Sequence, residues 1–468
     1  MEGADELAEA ISFGTDGWRA ELSLFTPERV RVVAQAVATY LDDTDAEGPV
    51  AIGYDPREGS RGFAEDIARV IAANGRDVTI AERDCPTPVL AWTVATGAYA
   101  GGLAVTASHN PPEYNGVKFL PADGAPALPG VTDAIEARLA APDPVAEEKY
   151  GAVHETDLVD AYADNALAFV DRTLDDLQVA YDAIHGSGRG VTDTLLERAG
   201  ATVQRYRCDR DPTFGGAGPE PSPERAAAII EAVSEGNADI GFINDGDADR
   251  VGFVTPDHGY LDPNVVLALL YDYMLESDAG DVVRTVSTSS LVDRIAEAHR
   301  QGVHETPVGF KWVAQAMGEH DTLVGGEESG GYGVTAHLRN KDGVLLALLL
   351  AGAETERPLD DRIDDLSSTH GEIHQDRISL DCPDAKKAAV LDALDDDLPE
   401  SFAGVAVKNV NTADGFKLTL ADGTWVLVRP SGTEPKLRLY AEATSQERVA
   451  ALLEAGREFV EPVVDAVT

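Results

Sequence analysis

Short apolar runs alternate along the chain with longer stretches in which apolar residues recur every three or four positions, the pattern of strands traded with amphipathic helices. Over residues 27–41, Val30, Val33, Ala34, Val37 and Leu41 fall on one helical face, and Val50-Ala51-Ile52-Gly53-Tyr54 follows as a strand. A second helix over 62–74 leads to a strand at 77–80, and 101–106 is a third strand, so the first unit reads as doubly wound. The Pro- and acid-rich stretch 142–148 reads as a linker. A helix over 156–173 then opens a second unit with strands near 179–184, 201–206 and 239–243, interrupted by a Gly- and Pro-rich loop at 211–223. A third unit has strands near 282–286, 302–306 and 322–325 and a helix over 342–352. From about residue 372 the pattern changes: strands at 415–420 and 425–429 flank the hairpin signal Asp422-Gly423, a strand covers 437–443, and a helix runs over 446–463. The pattern predicts an α/β protein with three similar α/β domains, 1–150, 151–255 and 256–370, and a C-terminal α+β domain, 371–468.

Composition narrows the function classes. The 468 residues carry 37 Lys plus Arg against 83 Asp plus Glu, a formal net charge of −46, yet 44% are hydrophobic, so the chain folds rather than trailing as an acidic tail. A polyanion would meet a polyanion, which excludes nucleic acid as a partner and disfavours anionic lipid. Lysine is scarce, with nine against 28 Arg, and acids are spread through every region. That balance points to a halophilic protein, because at molar salt the Debye length falls to about 3 Å and self-repulsion is screened. The alternative is an acidic protein of ordinary salt. Cys85, Cys208 and Cys382 lie far apart without a CxxC spacing, which suits a reducing compartment. The start, Met1-Glu2-Gly3-Ala4-Asp5-Glu6, lacks the basic and apolar regions of a signal peptide. The longest apolar run, 344–351, is well short of the roughly 20 residues that cross a bilayer. The expectation is a cytoplasmic protein with no membrane partner; no heptads speak to its oligomeric state.

Four segments carry chemistry. Asp245-Gly246-Asp247-Ala248-Asp249-Arg250 lies between the apolar runs 240–243 and 251–254, and alternating carboxylates on a strand-end loop can converge on a hard cation such as Mg²⁺. With 48 Asp in the chain, such a triplet arises by chance in about every second chain of this composition, so spacing alone decides little. An EF-hand fails, since Arg250 stands where Gly is needed and Pro256 where Glu is needed. Ala107-Ser108-His109-Asn110-Pro111-Pro112 closes a strand and precedes Asn115-Gly116-Val117-Lys118: either a nucleophile or phosphorylated serine with helpers, or a turn. Arg429-Pro430-Ser431-Gly432-Thr433-Glu434-Pro435-Lys436 joins two strands and offers a guanidinium fork, hydroxyls and amides to a phosphate dianion. Gly325-Gly326-Glu327-Glu328-Ser329-Gly330-Gly331 could clasp sugar hydroxyls.

Together with Phe13-Gly14-Thr15-Asp16-Gly17-Trp18-Arg19, these segments stand in an order and approximate spacing that resembles the α-D-phosphohexomutases, the superfamily of phosphoglucomutase and phosphomannomutase. The resemblance spans nearly the whole chain. It implies four domains around a central cleft. Ser108 would be the phosphoserine and would hold Mg²⁺ together with Asp245, Asp247 and Asp249. Arg19 and Arg250 would lie near its phosphate, with Lys118 and His109 assisting proton transfer. Glu327 and Ser329 would bind sugar hydroxyls, and Arg429, Ser431, Gly432 and Thr433 the phosphate that is not transferred. Many phosphomannomutase-type members carry His where this chain has Gly331. The segments Thr306-Pro307-Val308-Gly309-Phe310-Lys311-Trp312 and His337-Leu338-Arg339-Asn340-Lys341-Asp342-Gly343 look instead like the loops of phosphoglucomutases, making Gly309, Lys311 and Lys341 substrate-contact candidates. The implied activity interconverts hexose 1- and 6-phosphates through a hexose 1,6-bisphosphate, with glucose ahead of mannose and glucosamine, and the C-terminal domain closing at a hinge near 367–371. Phosphoryl transfer of this kind demands positioning and charge neutralisation. The rival readings are a non-catalytic sugar-phosphate-binding protein and a phosphatase. The motif segments also gather Lys118, Lys311, Lys341, Lys436, Arg19, Arg250, Arg339, Arg429 and Arg438, so the scarce positive charge is expected in the cleft.

Overall fold

The computed structural model describes residues 4–14, 17–432 and 434–467. It contains three α/β units and a C-terminal α+β unit, each built on its own sheet. The first three share one topology. In the first, the parallel strands Val50–Tyr54, Val78–Ala81 and Gly101–Val105 are joined by helices, and the strand Tyr114–Pro121 returns antiparallel beside the third. The second repeats this with Gln178–Asp182, Thr202–Tyr206, Ile240–Asn244 and the antiparallel Val251–Thr255. The third repeats it with Asp281–Thr285, Val303–Thr306, Thr322–Gly326 and the antiparallel Tyr332–Val334. In each sheet the first strand lies between the second and the third, so a switch point opens at the carboxyl ends of the first and third strands, where open α/β sheets place their ligands.

Two boundaries move. The first sheet continues past residue 150, because the exposed strand Val153–Thr156 pairs parallel with Val78–Ala81. The following helix is Val159–Val170 rather than 156–173. The apolar run at 344–351 lies within the helix Gly343–Glu356, buried at every position from Gly343 to Ala353. A helix apolar all round must be covered all round, and this one packs against the second unit's helices Val159–Val170 and Thr192–Arg198 as well as its own unit. Residues from the first three units thereby merge into one continuous core.

The last unit is an all-antiparallel six-stranded sheet with the helices Asp384–Asp395 and Gln446–Ala466 and a separate core around Leu418, Val426, Leu439 and Leu452. It meets the third unit through an apolar patch of Val286, Trp425, Leu427, Tyr440 and Val308. Among the described residues no helix is long and apolar enough to cross a membrane, and the three cysteines are free.

Candidate active site

The shared topology puts the first three chemical loops at equivalent places. Residues 106–113, 245–250 and 327–331 each connect a unit's third parallel strand to its antiparallel return strand. In each unit the loop after the first strand braces this connection. Arg57 Nη2 donates to Ser108 O at 2.7 Å, Ser187 N to Gly246 O at 3.0 Å, and Ser287 Oγ to Glu328 Oε1 at 2.7 Å.

Arg57 is the most committed brace. Its fully buried guanidinium donates from Nε to Asp55 Oδ2 at 2.9 Å, from Nη1 to Pro111 O at 2.7 Å and Tyr114 O at 3.1 Å, and from Nη2 to Ser108 O and Asn110 O, each at 2.7 Å. These bonds hold Ser108 at φ +51°, a region that a residue with a side chain seldom adopts unless its surroundings impose it. The buried Ser108 Oγ consequently crosses to the second unit and donates to Asp245 Oδ2 at 2.9 Å, with His109 Nδ1 3.4 Å away.

Asp245, Asp247 and Asp249 are buried, with one carboxylate oxygen from each within 4.8 Å of the others. Lys118, on the strand Tyr114–Pro121, reaches Asp247 Oδ2 at 3.1 Å and Asp249 Oδ2 at 3.3 Å. Lys341 Nζ lies 2.7 Å from Asp249 Oδ2, and Thr87 Oγ1 donates to Asp247 Oδ2 at 2.7 Å. The other oxygens, Asp247 Oδ1 and Asp249 Oδ1, are buried without a hydrogen-bond partner. Burial pushes the Asp245 carboxyl well up, and the charges of Asp247 and Asp249 push it further. Burial acts upward on Asp247 too, but Lys118 and Lys341 outweigh it and hold that carboxyl below its usual range. Three converging carboxylates with two unpartnered oxygens fit a small divalent cation that prefers oxygen ligands, and Mg²⁺ suits them.

Arg19 and Arg250 flank the serine loop. Arg19 Nη1 donates to Asn110 Oδ1 at 3.0 Å, and Arg250 Nη1 lies 3.4 Å from Glu220 Oε1. The Arg250 charge, then burial, then Arg19 and Lys341 lower the His109 pKa to about 2, so the imidazole is neutral at pH 7. On the loop 327–331, the Glu327 carboxylate accepts from Gly309 N at 2.9 Å, and burial followed by the neighbouring Glu328 pushes its pKa up to about 7. Ser329 Oγ lies 3.5 Å from Glu327 Oε2. Lys311 stands in the first turn of the helix Phe310–Glu319, its ammonium 5.8 Å from the centre of the Trp312 ring.

The C-terminal loop approaches from the fourth unit. Arg429 Nε donates to Asp414 Oδ2 at 2.9 Å, Ser431 is buried with its N–H bonded to Lys436 O, and Gly432 is exposed. Lys387 Nζ binds the carbonyls of Ser431 and Glu434, both at 2.6 Å, from behind the loop. Thr433, like Thr15 and Asp16, lies outside the described residues. Three of the cations expected in the cleft have other partners. Arg339 pairs with Asp123 at 3.0 Å, while Arg438 and Lys436 both face Glu434.

Arg57, Thr87, Lys387 and Asp414 escaped sequence reasoning. The only signal was Asp55-Pro56-Arg57 standing at the carboxyl end of a wholly apolar strand. A groove of about 680 Å³, lined by His374, Gln375, Leu453 and Arg457 among others, marks the joint between the last two units and contains none of the motif residues.

Comparison with known proteins agrees with the four-unit organisation. Family models for phosphoglucomutase/phosphomannomutase match in order: alpha/beta/alpha domain I at residues 10–145, domain II at 159–259, domain III at 262–369 and the C-terminal domain at 378–458. A probable phosphoglucosamine mutase from Methanopyrus kandleri is 33% identical over 96% of this chain and 97% of its own length. A phosphoglucomutase/phosphomannomutase from Thermococcus kodakarensis is 31% identical over 96% and 98%. Among solved structures, a phosphoglucomutase/phosphomannomutase family protein from Burkholderia thailandensis superposes with a TM-score of 0.85 at 22% identity, covering 99% of both chains, which speaks to the fold. Matched from its first unit to its last, the chain belongs to the phosphoglucomutase/phosphomannomutase family.

Proposed function

We propose that the protein is a Mg²⁺-dependent phosphohexomutase that interconverts hexose 1-phosphate and hexose 6-phosphate through a phosphoserine at Ser108 and a hexose 1,6-bisphosphate, acting on glucose first, with mannose and glucosamine as alternatives. The observation that carries the reading is Ser108 Oγ donating at 2.9 Å to Asp245 Oδ2, beside two unpartnered carboxylate oxygens and the ammonium groups of Lys118 and Lys341. That is a hydroxyl set among groups suited to hold a phosphoryl group. Mg²⁺ held by Asp245, Asp247 and Asp249 would neutralise charge on the phosphoryl oxygens.

In the first transfer the bond from phosphorus to Ser108 Oγ breaks, a bond to the sugar hydroxyl forms, and the proton lost by that hydroxyl is balanced by one taken up at Ser108 Oγ. Neutral His109, 3.4 Å from Ser108 Oγ, offers that oxygen a hydrogen-bond partner, Lys118 is the proposed proton carrier, and Lys341, Arg19 and Arg250 supply positive charge. Glu327, Ser329, Gly309 and Lys311 would orient the sugar. Arg429, Ser431, Gly432 and Thr433 would hold the other phosphate, so that the bisphosphate turns over and returns its second phosphoryl to Ser108. Retaining it asks the C-terminal unit to close, and residues 367–371 are the proposed hinge, with Gly371 at φ +82° ending the helix Leu359–His370. The relatives' names include both glucosamine and glucose/mannose enzymes, so the sugar order is the part to test first. The charge of −46 supports a halophilic setting for this chemistry, and the free cysteines suit a reducing, cytoplasmic one.

The protein is incubated with glucose 1-phosphate, Mg²⁺ and a trace of glucose 1,6-bisphosphate in molar KCl, and glucose 6-phosphate is followed, with mannose and glucosamine phosphates run alongside. Intact mass of the purified chain should show one phosphate, absent from Ser108→Ala. Binding without turnover on any of the three sugars would leave a non-catalytic binder, and release of inorganic phosphate without isomer would leave a phosphatase.

A further inference from the structure

Asp414 occupies the turn between the strands Val405–Asn411 and Phe416–Leu420. Its Oδ2 accepts two hydrogen bonds from different units: Arg429 Nε at 2.9 Å within the C-terminal sheet, and the backbone N–H of Val308 at 3.2 Å in the third unit. The adjoining N–H, that of Gly309, donates to Glu327 Oε1 at 2.9 Å. Two successive backbone amides of one loop are therefore held by two carboxylates, one tied to the phosphate loop and the other belonging to the sugar loop. Both side chains of the Asp414–Arg429 pair are largely buried, with 17% and 11% exposed. Gly415 presses the turn flat against the neighbouring strand: a Cβ there would lie 2.1 Å from Val428 O and 2.8 Å from Arg429 Cα, and its φ is +83°. This contact sits at the edge of a broader junction in which Glu305 binds Lys417 and Asn411, and Glu442 binds Ser290.

We infer that Asp414 is a positioning residue that couples the C-terminal phosphate loop to the sugar loop, so that seating a phosphate on Arg429 and presenting Glu327 to the sugar are one event. The inference rests on the phosphate-binding role proposed above for Arg429. Asp414 fixes one edge of the guanidinium, which orients its remaining N–H groups, and a charge-assisted bond of this kind is worth more than a neutral one. Through Val308 the same oxygen fixes the loop whose next amide orients Glu327. When the C-terminal unit swings away, the bond from Val308 N to Asp414 breaks, leaving Arg429 paired but the sugar loop without its tie.

The test uses the Ser108→Ala protein, in which no transfer occurs, with glucose 1-phosphate as the calorimetric probe. Asp414→Asn should weaken binding about tenfold, Arg429→Lys should weaken it comparably, and the double variant should be little worse than either single one. With Ser108 restored, Asp414→Asn should raise KM by more than it lowers kcat, while the melting temperature stays within a few degrees. Equal affinity in Asp414→Asn, or losses that simply multiply in the double variant, would overturn the coupling. Failure of the Ser108→Ala protein itself to bind glucose 1-phosphate would instead refute the sugar-phosphate reading, and the coupling with it.

Discussion

A Cβ placed on Gly331 would lie 2.4 Å from Lys341 Cδ and 3.0 Å from its Cγ. The stem of Lys341 runs through the space that a side chain at position 331 would fill, and at the end of that stem the ammonium lies 2.7 Å from Asp249 Oδ2. A side chain at 331 and this placement of Lys341 exclude one another. The empty position in the sugar loop is thus the complement of a cation supplied by a later loop.

Gly331→Ala should therefore displace Lys341 from Asp249 rather than unfold the chain, because a lysine stem can swing aside. We expect kcat to fall about tenfold, the scale of one lost charged contact, with a change of only a few degrees in melting temperature. An unchanged kcat would remove Lys341 from the reaction.

Arg57→Lys keeps the charge and loses the fork. One ammonium cannot serve Asp55 and four carbonyls at once, so several buried acceptors lose their donor and unfolding free energy should drop by about 3 kcal/mol or more in denaturant titration. The Ser108 loop would relax from its strained φ, and the phosphate measured on Ser108 by intact mass should fall with it.

Glu327 makes stability depend on pH. Its pKa is pushed from 4.5 up to about 7 in the folded protein by burial and then Glu328, with Lys341, Arg250 and the Gly309 amide opposing. A carboxyl raised in this way binds more protons folded than unfolded, so its contribution is full below about pH 4.5 and is lost as pH rises through about 7. Glu327→Gln should flatten that part of the curve and be the more stable protein at pH 8, by up to about 3 kcal/mol. Parallel unfolding curves for the two proteins from pH 4.5 to 8 would remove the effect.

Salt should act through the excess of acids. Raising KCl from 0.1 M to 2 M shortens the Debye length from about 10 Å to under 3 Å, and the melting temperature should rise by ten degrees or more. A melting temperature insensitive to KCl would assign the charge of −46 to something other than solvent.

Much of this protein was legible in one dimension. Strands and helices of the three α/β units appear in the hydrophobic period because each presents one face, or both, to a core. The loops that end those strands were picked out by their joint resemblance to one family rather than by residue type alone: Ser108, the alternating aspartates and Glu327 all stand just past strand ends, and Arg429 near the end of one. The strand Tyr114–Pro121 was not, because it is buried along most of its length while carrying Asn115, Gly116 and Lys118, which break the apolar pattern: Asn115 donates to Ser60, and Lys118 pairs with Asp247 and Asp249. Arg57 and Asp414 were equally silent, since a brace is defined by the backbone it binds, and Arg57 takes its carbonyls from residues 51 to 57 positions away. Arg339, in a motif segment, pairs with Asp123 of the first unit, a partner that no local pattern announces.

Sequence alone determined the composition of the parts: the units, the loop chemistry and the acidic exterior, each encoded within a few tens of residues. Only the tertiary structure decided which parts meet. Ser108 reaches Asp245 across 137 positions, Lys118 reaches Asp249 across 131, and Asp414 joins Val308 to Arg429 across a domain boundary. Those pairings depend on how one sheet packs against another, on a helix buried all round between two units, and on the absence of a Cβ at Gly331, none of which a local pattern of residues can express.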